Sequence, residues 1–512
     1  MIFPPSKNAP AGRRLALLLI AGTMALAMAA GLQLANLNET PTADRRPITG
    51  REWPTTPGNA VVCLWEDDKL CAVTMSVDDN IATQVPNWLQ HAQEVGFAVT
   101  WFVITDRIGG ANAGFDGTWA LWRDVVAKGH DVQSHTRQHL HVTNASWPGI
   151  YEEYAGSRAA IESNIPGHVC DFLAYPGGSN SSYNDRNVAA QIYAGARGGA
   201  GSGFNRPWRI DYLTIRNGNF LLGSGPASSD LLSLFNANDV RYYRGWAAPL
   251  FHTVTSWDSV SHYFTFLRTY RDDIWAGRFS DVGKYGQQRD TSSLTVTENT
   301  PTRITFVVQD DMLDSRFDYP LTIKVRLPDS WQSVAADQAG TPRLARFVRH
   351  QGQPYALVRA VPDRGPVVIS EAQANTPGPL YADWLESHIL PADRSGLGAP
   401  TASPATDGVN NLLKHALGLS PREAGLQGRV RQEENTNGAC ALLVTRPYPR
   451  PSDIDYVIET SSDLRTWSTN SVSLATVGVQ DGLETIRGSV MNSTPGEHQF
   501  LRLRTILDSA TE

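Results

Sequence analysis

Short apolar runs of β-strand type alternate with amphipathic stretches of helical period between residues 59 and 290. The apolar runs are Ala72–Val77, Phe97–Ile104, His130–Gln133, Phe172–Tyr175 and Ala248–Thr253. The amphipathic stretches are Val85–Val95, Thr118–Lys128, Tyr151–Ser163, Asp185–Ala194 and Ser259–Ile274. Regular alternation of strand and helix predicts a parallel sheet or a barrel. In both folds the chemistry takes place at the C-terminal ends of the strands, so polar residues that follow these runs are the first candidates for a site.

The pattern changes after Asp290, where helical signals become rare and short alternating runs indicate β-structure. Two short helices, Leu380–Leu390 and Val409–Leu419, are predicted around a loop rich in Gly, Pro and Ala. A second β-rich stretch follows them. The predicted organisation is a linker over 36–58, a barrel over 59–290, a β-sandwich over 291–372, a helical module over 376–425 and a C-terminal β-sandwich over 426–512.

The N-terminus has the pattern of an export signal. Lys7, Arg13 and Arg14 precede an apolar run that begins at Leu15 and ends in small residues near Ala30. A basic region, an apolar core and a small-residue cleavage site are typical of a secretory signal peptide, here residues 1–35. The alternative is an uncleaved anchor, which would be the chain's one contact with a membrane. Either interpretation places the rest of the chain outside the cytoplasm, secreted or in the cell envelope.

Length and charge narrow the classes of function. A chain of 512 residues is too long for one core, in keeping with several domains. The net charge of -7 is spread along the chain without a basic cluster, so nucleic acid is not the expected partner. The four cysteines lack the spacing of a zinc ribbon. Cys63 and Cys71 flank a polar segment that looks like a hairpin, and an exported chain permits a disulfide there.

Two carboxylates end the first apolar run. Asp78 and Asp79 are adjacent, so their side chains point in different directions and can take different tasks. One can bind a metal while the other handles a proton. Taken alone, the pair also fits a solvated acidic turn.

Two histidines follow the third apolar run. His135 and His139 are four residues apart, and one helical turn would put both imidazoles on the same side, where they could bind a metal. Two surface histidines on a helix are the alternative. The neighbouring His130 and His141 are interpreted as bystanders.

Two further motifs stand at the ends of later runs. Tyr175 begins a Tyr-Pro-Gly-Gly turn, in which backbone N–H groups can come close to a developing oxyanion. His252 ends the sequence Leu-Phe-His. Alone, the first is a tight turn and the second a core histidine.

In this order and spacing, the four motifs resemble the polysaccharide deacetylases with a NodB-homology domain, carbohydrate esterase family 4. The resemblance covers about residues 59–290 and implies a distorted (β/α) barrel, followed here by small β-sandwich modules. It implies a divalent metal, with zinc expected, held by Asp79, His135 and His139. It further implies Asp78 as general base, the N–H of Tyr175 as an oxyanion donor and His252 as general acid.

The chain departs from the family pattern in two places. Many members carry Arg where this chain has Ala174, and that Arg pairs with the catalytic Asp. Arg197 and Arg216 are the candidates to replace it. The family motif that orients the acid histidine has no clear counterpart, and Asp211 is the nearest candidate.

The C-terminal pieces resemble modules that end many secreted proteins of Verrucomicrobia-type bacteria. Related segments carry acidic calcium loops, of which only Asp407-Gly408 remains here, so a calcium site is not expected.

The leading hypothesis is a metal-dependent hydrolase that removes acetyl groups from an N-acetylated polysaccharide such as chitin, peptidoglycan or an exopolysaccharide. An O-acetyl esterase acting on xylan or an algal polymer would use the same residues. The third interpretation is a carbohydrate-binding protein with weakened catalysis.

Overall fold

A computed structural model describes the chain over residues 50–140, 146–178, 183–198, 203–217, 231–388, 398–405, 407–421, 425–434, 440–491 and 499–508. The predicted signal or anchor, residues 1–35, and His141 lie outside these ranges. Within them, no helix combines the length and the apolar character that crossing a bilayer requires.

Parallel strands form the first domain. Its strands, with the one that precedes them, are β1 Ala60–Val62, β2 Cys71–Val73, β3 Met75–Val77, β4 Val99–Val103, β5 Asp131–Ser134, β6 Phe172–Ala174, β7 Gly195–Gly198, β8 Ile215–Arg216, β9 Trp246–Ala247, β10 Leu250–Phe251 and β11 Ile274–Trp275. Seven of them form a parallel sheet in the order β10-β3-β4-β5-β6-β7-β8, and three more form the sheet β11-β2-β9. The curled parallel sheet with its helices is the predicted distorted barrel. The first apolar run is divided at Thr74, so that β2 and β3 belong to different sheets.

Helices connect the strands, as the alternation predicts. They are α1 Val85–Val95, α2 Ala113–Asp116, α3 Trp119–Ala127, α4 Trp147–Asn164, α5 Tyr183–Ile192, α6 Trp257–Thr269 and α7 Phe279–Thr291. The first has the predicted bounds because its apolar residues recur at helical spacing, with Trp88, Ala92 and Val95 buried. Gly96 then adopts a left-handed backbone, with φ of 88°, and ends the helix.

The last helix of the barrel begins in the aromatic core. The Phe279 ring lies 5.3 Å from Phe102, 5.5 Å from Phe172 and 5.0 Å from Trp246, all measured between ring centroids. The Phe279 N–H donates to Thr100 Oγ1 on β4 at 3.0 Å. Because these aromatic residues belong to one buried cluster with the β-strands that follow, the barrel shares its core with the next domain.

The second domain is the predicted β-sandwich. Its strands are β12 Ser293–Asn299, β13 Arg303–Gln309, β14 Leu321–Arg326, β15 Ala335–Gln338, β16 Thr341–Arg343, β17 Ala345–His350, β18 Gln353–Ala360 and β19 Val367–Ser370. They form the sheets β1-β14-β18-β17 and β12-β13-β19-β15-β16. Residues 60–62 therefore pair with the sandwich and not with the barrel, which moves the predicted boundary at residue 59.

The predicted hairpin around Cys63 and Cys71 is wrong for the same reason. Cys63 follows a strand of the sandwich and Cys71 starts a strand of the barrel, so the two do not face each other across a ladder. All four cysteines are free thiols in the structure.

The segment that precedes β1 connects the two domains. Arg51 pairs with Asp273 of the barrel at 2.9 Å. Two residues later the Trp53 ring stacks on His350 at 4.0 Å, and the Lys324 ammonium lies 3.7 Å from its centroid. The predicted linker over 36–58 is therefore packed structure from residue 50 onward.

The C-terminal part contains the two predicted helices and further sheets. Its elements are α8 Tyr381–His388, α9 Asn411–Ala416, β20 Val430–Glu434, β21 Cys440–Pro447, β22 Ile454–Ser461, β23 Val472–Gln480, β24 Leu483–Val490 and β25 Phe500–Leu507. The strands form the sheets β20-β21-β24-β23 and β22-β25. The Asp407 carboxylate lies 3.0 Å from Lys414 Nζ, so a buried side chain supplies the cation beside it.

Candidate active site

The parallel sheet brings the predicted site residues to one edge. Asp78 and Asp79 follow β3, His135 follows β5, Tyr175 follows β6 and His252 follows β10. These strands are parallel and lie side by side or one strand apart in the sheet. Residues that follow their C-terminal ends therefore lie at the same edge.

Three side chains converge at this edge. Asp79 Oδ1 lies 3.7 Å from His135 Nε2 and 3.5 Å from His139 Nε2. The three ligand atoms all lie within 4.8 Å of one another. His135 is buried, whereas Asp79 and His139 are partly exposed, so the cluster opens to solvent on one side.

The tautomer of His135 leaves a lone pair for the cluster. Its Nδ1 lies 2.8 Å from the Ala174 carbonyl oxygen, which can only accept, so Nδ1 carries the proton and Nε2 does not. Burial lowers the pKa of His135, against the opposing charges of Asp78 and Asp79. Both effects favour the neutral imidazole that binds a metal.

His135 and His139 do not lie on a helix, so the prediction that a helical turn brings them together is wrong. Residues 135–140 form a loop in which Thr136 has φ of 67° and His139 has φ of 61°. The His139 N–H donates to Thr136 Oγ1 at 3.1 Å, and this bond closes the turn. The turn brings the two rings to 4.7 Å between centroids, so a tight loop achieves what a helical turn was expected to achieve.

Two residues that the sequence did not single out support these loops. Glu153 Oε2 accepts hydrogen bonds from the N–H groups of Arg137 at 3.1 Å and Gln138 at 3.0 Å. Asn80 donates to the Ile104 carbonyl at 2.9 Å and accepts from the Ile104 N–H at 2.6 Å. Both are buried. A buried polar side chain in an apolar setting is the signal that could have found them, but it depends on knowing what is buried.

Four residues of the site have left-handed backbone. Asp79 and Asn80 have φ of 63° and 54°, in addition to Thr136 and His139 in the other loop. Each such residue costs about 1–2 kcal/mol relative to ordinary backbone. Residues held in this region cluster where the geometry serves function.

Asp78 is held by an arginine. Arg197 Nη2 lies 2.7 Å from Asp78 Oδ1 and 2.5 Å from Oδ2, and both side chains are buried. Burial raises the pKa of Asp78, but Arg197 and then His135 and His252 lower it, and the net pKa lies below its usual value. Asp78 is therefore a carboxylate at neutral pH.

The pairing of β6 with β7 explains why this arginine can stand in for the missing one. Ala174 is the register partner of Arg197, so the guanidinium comes from the neighbouring strand at the level where the family has its own Arg. The other candidate, Arg216, is exposed on β8. Of the two candidates, the structure brings Arg197 to Asp78.

Asp211 does not orient His252, and this expectation is also wrong. Both of its oxygens accept from Arg186, each at 2.9 Å. His252 Nε2 lies 3.6 Å from Asp79 Oδ2. Its Nδ1 is buried and has no hydrogen-bond partner among the residues that the structure describes.

The N–H of Tyr175 is not directed to an oxyanion. It donates to the Arg197 carbonyl oxygen at 3.1 Å and so extends the ladder between β6 and β7 by one residue. The predicted oxyanion role of this N–H is therefore not supported, because the donor already has an acceptor. His130, interpreted as a bystander, accepts from the Val99 N–H at 3.1 Å inside the core.

The cluster fits a metal ion. Asp79 Oδ1 is buried and receives no hydrogen bond from the residues that the structure describes, although it faces two imidazole nitrogens. A buried acceptor beside two further lone pairs is costly unless a cation lies between them. Two ligands about 2.1 Å from a tetrahedral metal are about 3.4 Å apart, close to the distances from Asp79 to the histidines.

A curated relative is a gellan lyase from a Bacillus species, 36% identical over 369 residues. The alignment covers 66% of this chain and 14% of the relative, so the chain spans a small part of that protein. The covered share exceeds residues 59–290, and the similarity therefore extends beyond the barrel. A lyase and a deacetylase are different activities.

Three solved structures show weak similarity. A polysaccharide deacetylase from Mycobacterium smegmatis is 15% identical and covers 45% of this chain and 94% of that one, with a TM-score of 0.31. The esterase domain of a xylanase from the hindgut metagenome of Trinervitermes trinervoides is 16% identical and covers 42% of this chain and 89% of that one, with a TM-score of 0.28. A family 4 carbohydrate esterase from Streptomyces lividans is 13% identical and covers 41% of this chain and 92% of that one, with a TM-score of 0.27. Similarities of this size add no weight to the assignment.

The family model described as polysaccharide deacetylase matches residues 67–198. That segment contains both carboxylates, both histidines of the cluster and Arg197. Residues 67–198 of the barrel domain therefore match the polysaccharide deacetylase family.

Proposed function

We propose that this chain is a divalent-metal-dependent hydrolase that releases acetate from an N-acetylated polysaccharide. The observation that carries the proposal is the convergence of Asp79, His135 and His139 around a buried carboxylate oxygen that receives no hydrogen bond within the described ranges. Beside it lies Asp78, kept ionised by Arg197. The family assignment supplies the polysaccharide as the substrate class.

Asp79, His135 and His139 would hold the metal, with zinc proposed because two imidazole nitrogens and one carboxylate oxygen suit it. When bound, the ion would polarise the acetyl carbonyl and make a nearby water more acidic. Asp78 would accept the proton of the water that attacks the carbonyl carbon. Arg197 would keep that carboxylate oriented and charged before the proton arrives.

His252 would return a proton to the leaving group. Its side chain is partly exposed, and its Nε2 is 3.6 Å from Asp79 Oδ2, within the same cluster. Departure of an amine requires that proton, because an unprotonated amide anion is a poor leaving group. The C–N bond then breaks and acetate is released.

The second candidate is hydrolysis of O-acetyl esters. His252 Nδ1 lacks a hydrogen-bond partner in the described part of the chain, so no carboxylate there fixes the orientation of the acid. An alkoxide leaves more easily than an amide anion, and ester hydrolysis therefore tolerates a poorly oriented acid better. This observation favours esters over amides, whereas the resemblance of the four motifs favours amides.

Acetate release from a substrate panel separates the two. Residues 50–512 are assayed on N-acetylated chitin oligosaccharides and peptidoglycan, on O-acetylated xylan, and on gellan because of the relative. Acetate from the amides supports the proposal, and acetate from the esters alone supports the second candidate. Both candidate functions would be contradicted if neither the parent nor Asp79→Ala released acetate from any of these substrates.

We also propose that the chain acts outside the cytoplasm. The support is the basic and apolar pattern before residue 35. Intact-mass analysis of the protein recovered from the natural host tests it. A mature N-terminus near residue 31, or a membrane-bound full-length chain, supports export, whereas a full-length cytoplasmic chain would contradict it.

A further inference from the structure

A pair of aromatic rings lies exposed at the start of α4. Trp147 and Tyr151 stack with 5.4 Å between ring centroids and 20° between planes. They are 37% and 38% exposed, so each keeps a large apolar surface in water. Contiguous exposed apolar surface is a mark of binding sites.

Helical spacing shows why these rings are exposed. Trp147 is three and seven residues before Ile150 and Tyr154, which places all three on one face of the helix. Ile150 and Tyr154 are fully buried against the barrel, whereas Trp147 is not. The first turn of the helix therefore extends beyond the barrel and continues its inward face into solvent.

The rings lie beside the candidate active site. Glu153 on α4 accepts the N–H of Gln138, the residue before His139. Trp147 is six residues before Glu153, about 9 Å along the helix axis. Two further exposed apolar side chains, Phe115 and Leu140, follow the ends of the neighbouring strands β4 and β5. The start of α4 therefore lies at the same end of the barrel as the histidine loop.

The surroundings of the rings favour a neutral, amphipathic ligand. The Arg137 guanidinium reaches α4 at Glu152, 3.7 Å away, and is paired with Asp106 at 3.1 Å, so its charge is balanced by carboxylates. An indole and a phenol each combine an apolar face with a polar edge. A pyranose ring has the same character, with C–H groups on its faces and hydroxyl groups around its rim.

We propose that Trp147 and Tyr151 form a platform that binds a sugar unit of the polymer, at a distance from the unit whose acetyl group lies at Asp79. This inference rests on the proposed function, because it assigns a second contact to the same polysaccharide. It gives the site a preference for long chains over single sugars.

The test compares Trp147→Ala, Tyr151→Ala and the double variant with the parent on an acetylated hexasaccharide and the matching monosaccharide. The ratio of kcat/KM for the long to the short substrate is expected to fall by between about threefold and tenfold in each single variant, the range of one aromatic contact. Phe500→Ala, which removes an equally exposed ring from the C-terminal module, leaves the ratio unchanged. Trp147→Leu keeps apolar bulk and should lose the preference, because it lacks a flat face.

A binding measurement keeps the inference separate from the proposed function. Co-sedimentation with insoluble chitin, xylan and gellan is measured for parent and double variant without any turnover. Binding by the parent that the double variant loses supports the platform even where no acetate is released. The inference would be overturned if the double variant kept both the parent's kcat/KM ratio and its polysaccharide binding. It would also be overturned if the double variant lost binding to phosphatidylcholine vesicles while its polysaccharide binding stayed the same.

Discussion

Replacing Arg197 by Met tests the assignment of Asp78 as a base. In the parent the Arg197 guanidinium carbon lies over the Phe102 ring, 4.8 Å from its centroid. Methionine keeps an unbranched apolar side chain at this position but removes the charge. Asp78 then remains buried without its cation. Leaving one partner of a buried pair uncompensated costs about 3–5 kcal/mol.

The sign of the pH effect follows from the pKa of Asp78. In the parent this pKa is depressed, so the pair stabilises the fold above the unfolded pKa near 3.9, and that stability is lost as the pH falls. In Arg197→Met the main cause of the lowering is gone and burial still raises the pKa. The folded variant therefore keeps a proton that the unfolded chain releases, and its stability falls as the pH rises above about 4.

Urea denaturation at pH 4.5 and pH 7 measures this difference. The deficit of Arg197→Met relative to the parent should grow between pH 4.5 and pH 7 and approach about 3–5 kcal/mol at pH 7. The double variant Asp78→Asn/Arg197→Met should be more stable than Arg197→Met at pH 7, because it buries no charge.

Activity gives the second measurement. A protonated Asp78 cannot accept a proton, so kcat/KM at pH 7 should fall by about 10²–10⁴ and recover in part at higher pH. Arg216→Met is the matched control, since it removes an exposed guanidinium from the neighbouring strand β8. Equal deficits at both pH values, or a pH–rate profile like that of the parent, would refute the reasoning.

Three further changes test the supports of the site and the fold. Glu153→Ala should weaken zinc binding by about 10- to 100-fold in a competition titration, because two N–H groups of the histidine loop lose their acceptor. The control Glu152→Ala, which changes an exposed carboxylate on the same helix, should leave zinc binding unchanged. Equal effects of the two substitutions would contradict the role of Glu153. Burial lowers the pKa of His130 to about 4, so it remains neutral while the unfolded chain takes up a proton below about pH 6.5. The free energy of unfolding of the parent should therefore fall by up to about 3 kcal/mol between pH 6.5 and pH 4, and that of His130→Asn should fall less. An identical dependence on pH in parent and variant would contradict this role of His130. Trp53→Ala should lower the free energy of unfolding by about 2–3 kcal/mol, because the contacts with His350 and Lys324 are lost. A urea midpoint equal to that of the parent within error would show that the N-terminal segment does not connect the domains.

Much of the barrel could be predicted because its signals are local. The apolar period of Val85–Val95 gave the bounds of α1, and the apolar runs before Asp78, His135, Tyr175 and His252 gave the strand ends. Parallel strands share one edge, so residues at their ends could be grouped before any distance was known.

The remaining features depend on contacts between distant parts of the chain. The partner of Asp78 is 119 residues away and is selected by the register of β7 against β6, which the sequence does not show. Pairing of residues 60–62 with β14 is a long-range contact of the same kind. The histidine spacing fits a helix, whereas the left-handed backbone at Thr136 and His139 is stabilised by tertiary hydrogen bonds that leave no local pattern.

The most direct test is acetate release by chelated protein titrated with zinc, using whichever acetylated polysaccharide the parent hydrolyses. The metal cluster of Asp79, His135 and His139 predicts that activity is lost on chelation and returns linearly until one zinc per chain is added. Asp79→Asn should regain none of it at the same ratio. Full activity after exhaustive chelation, or recovery in Asp79→Asn equal to that of the parent, would contradict the account.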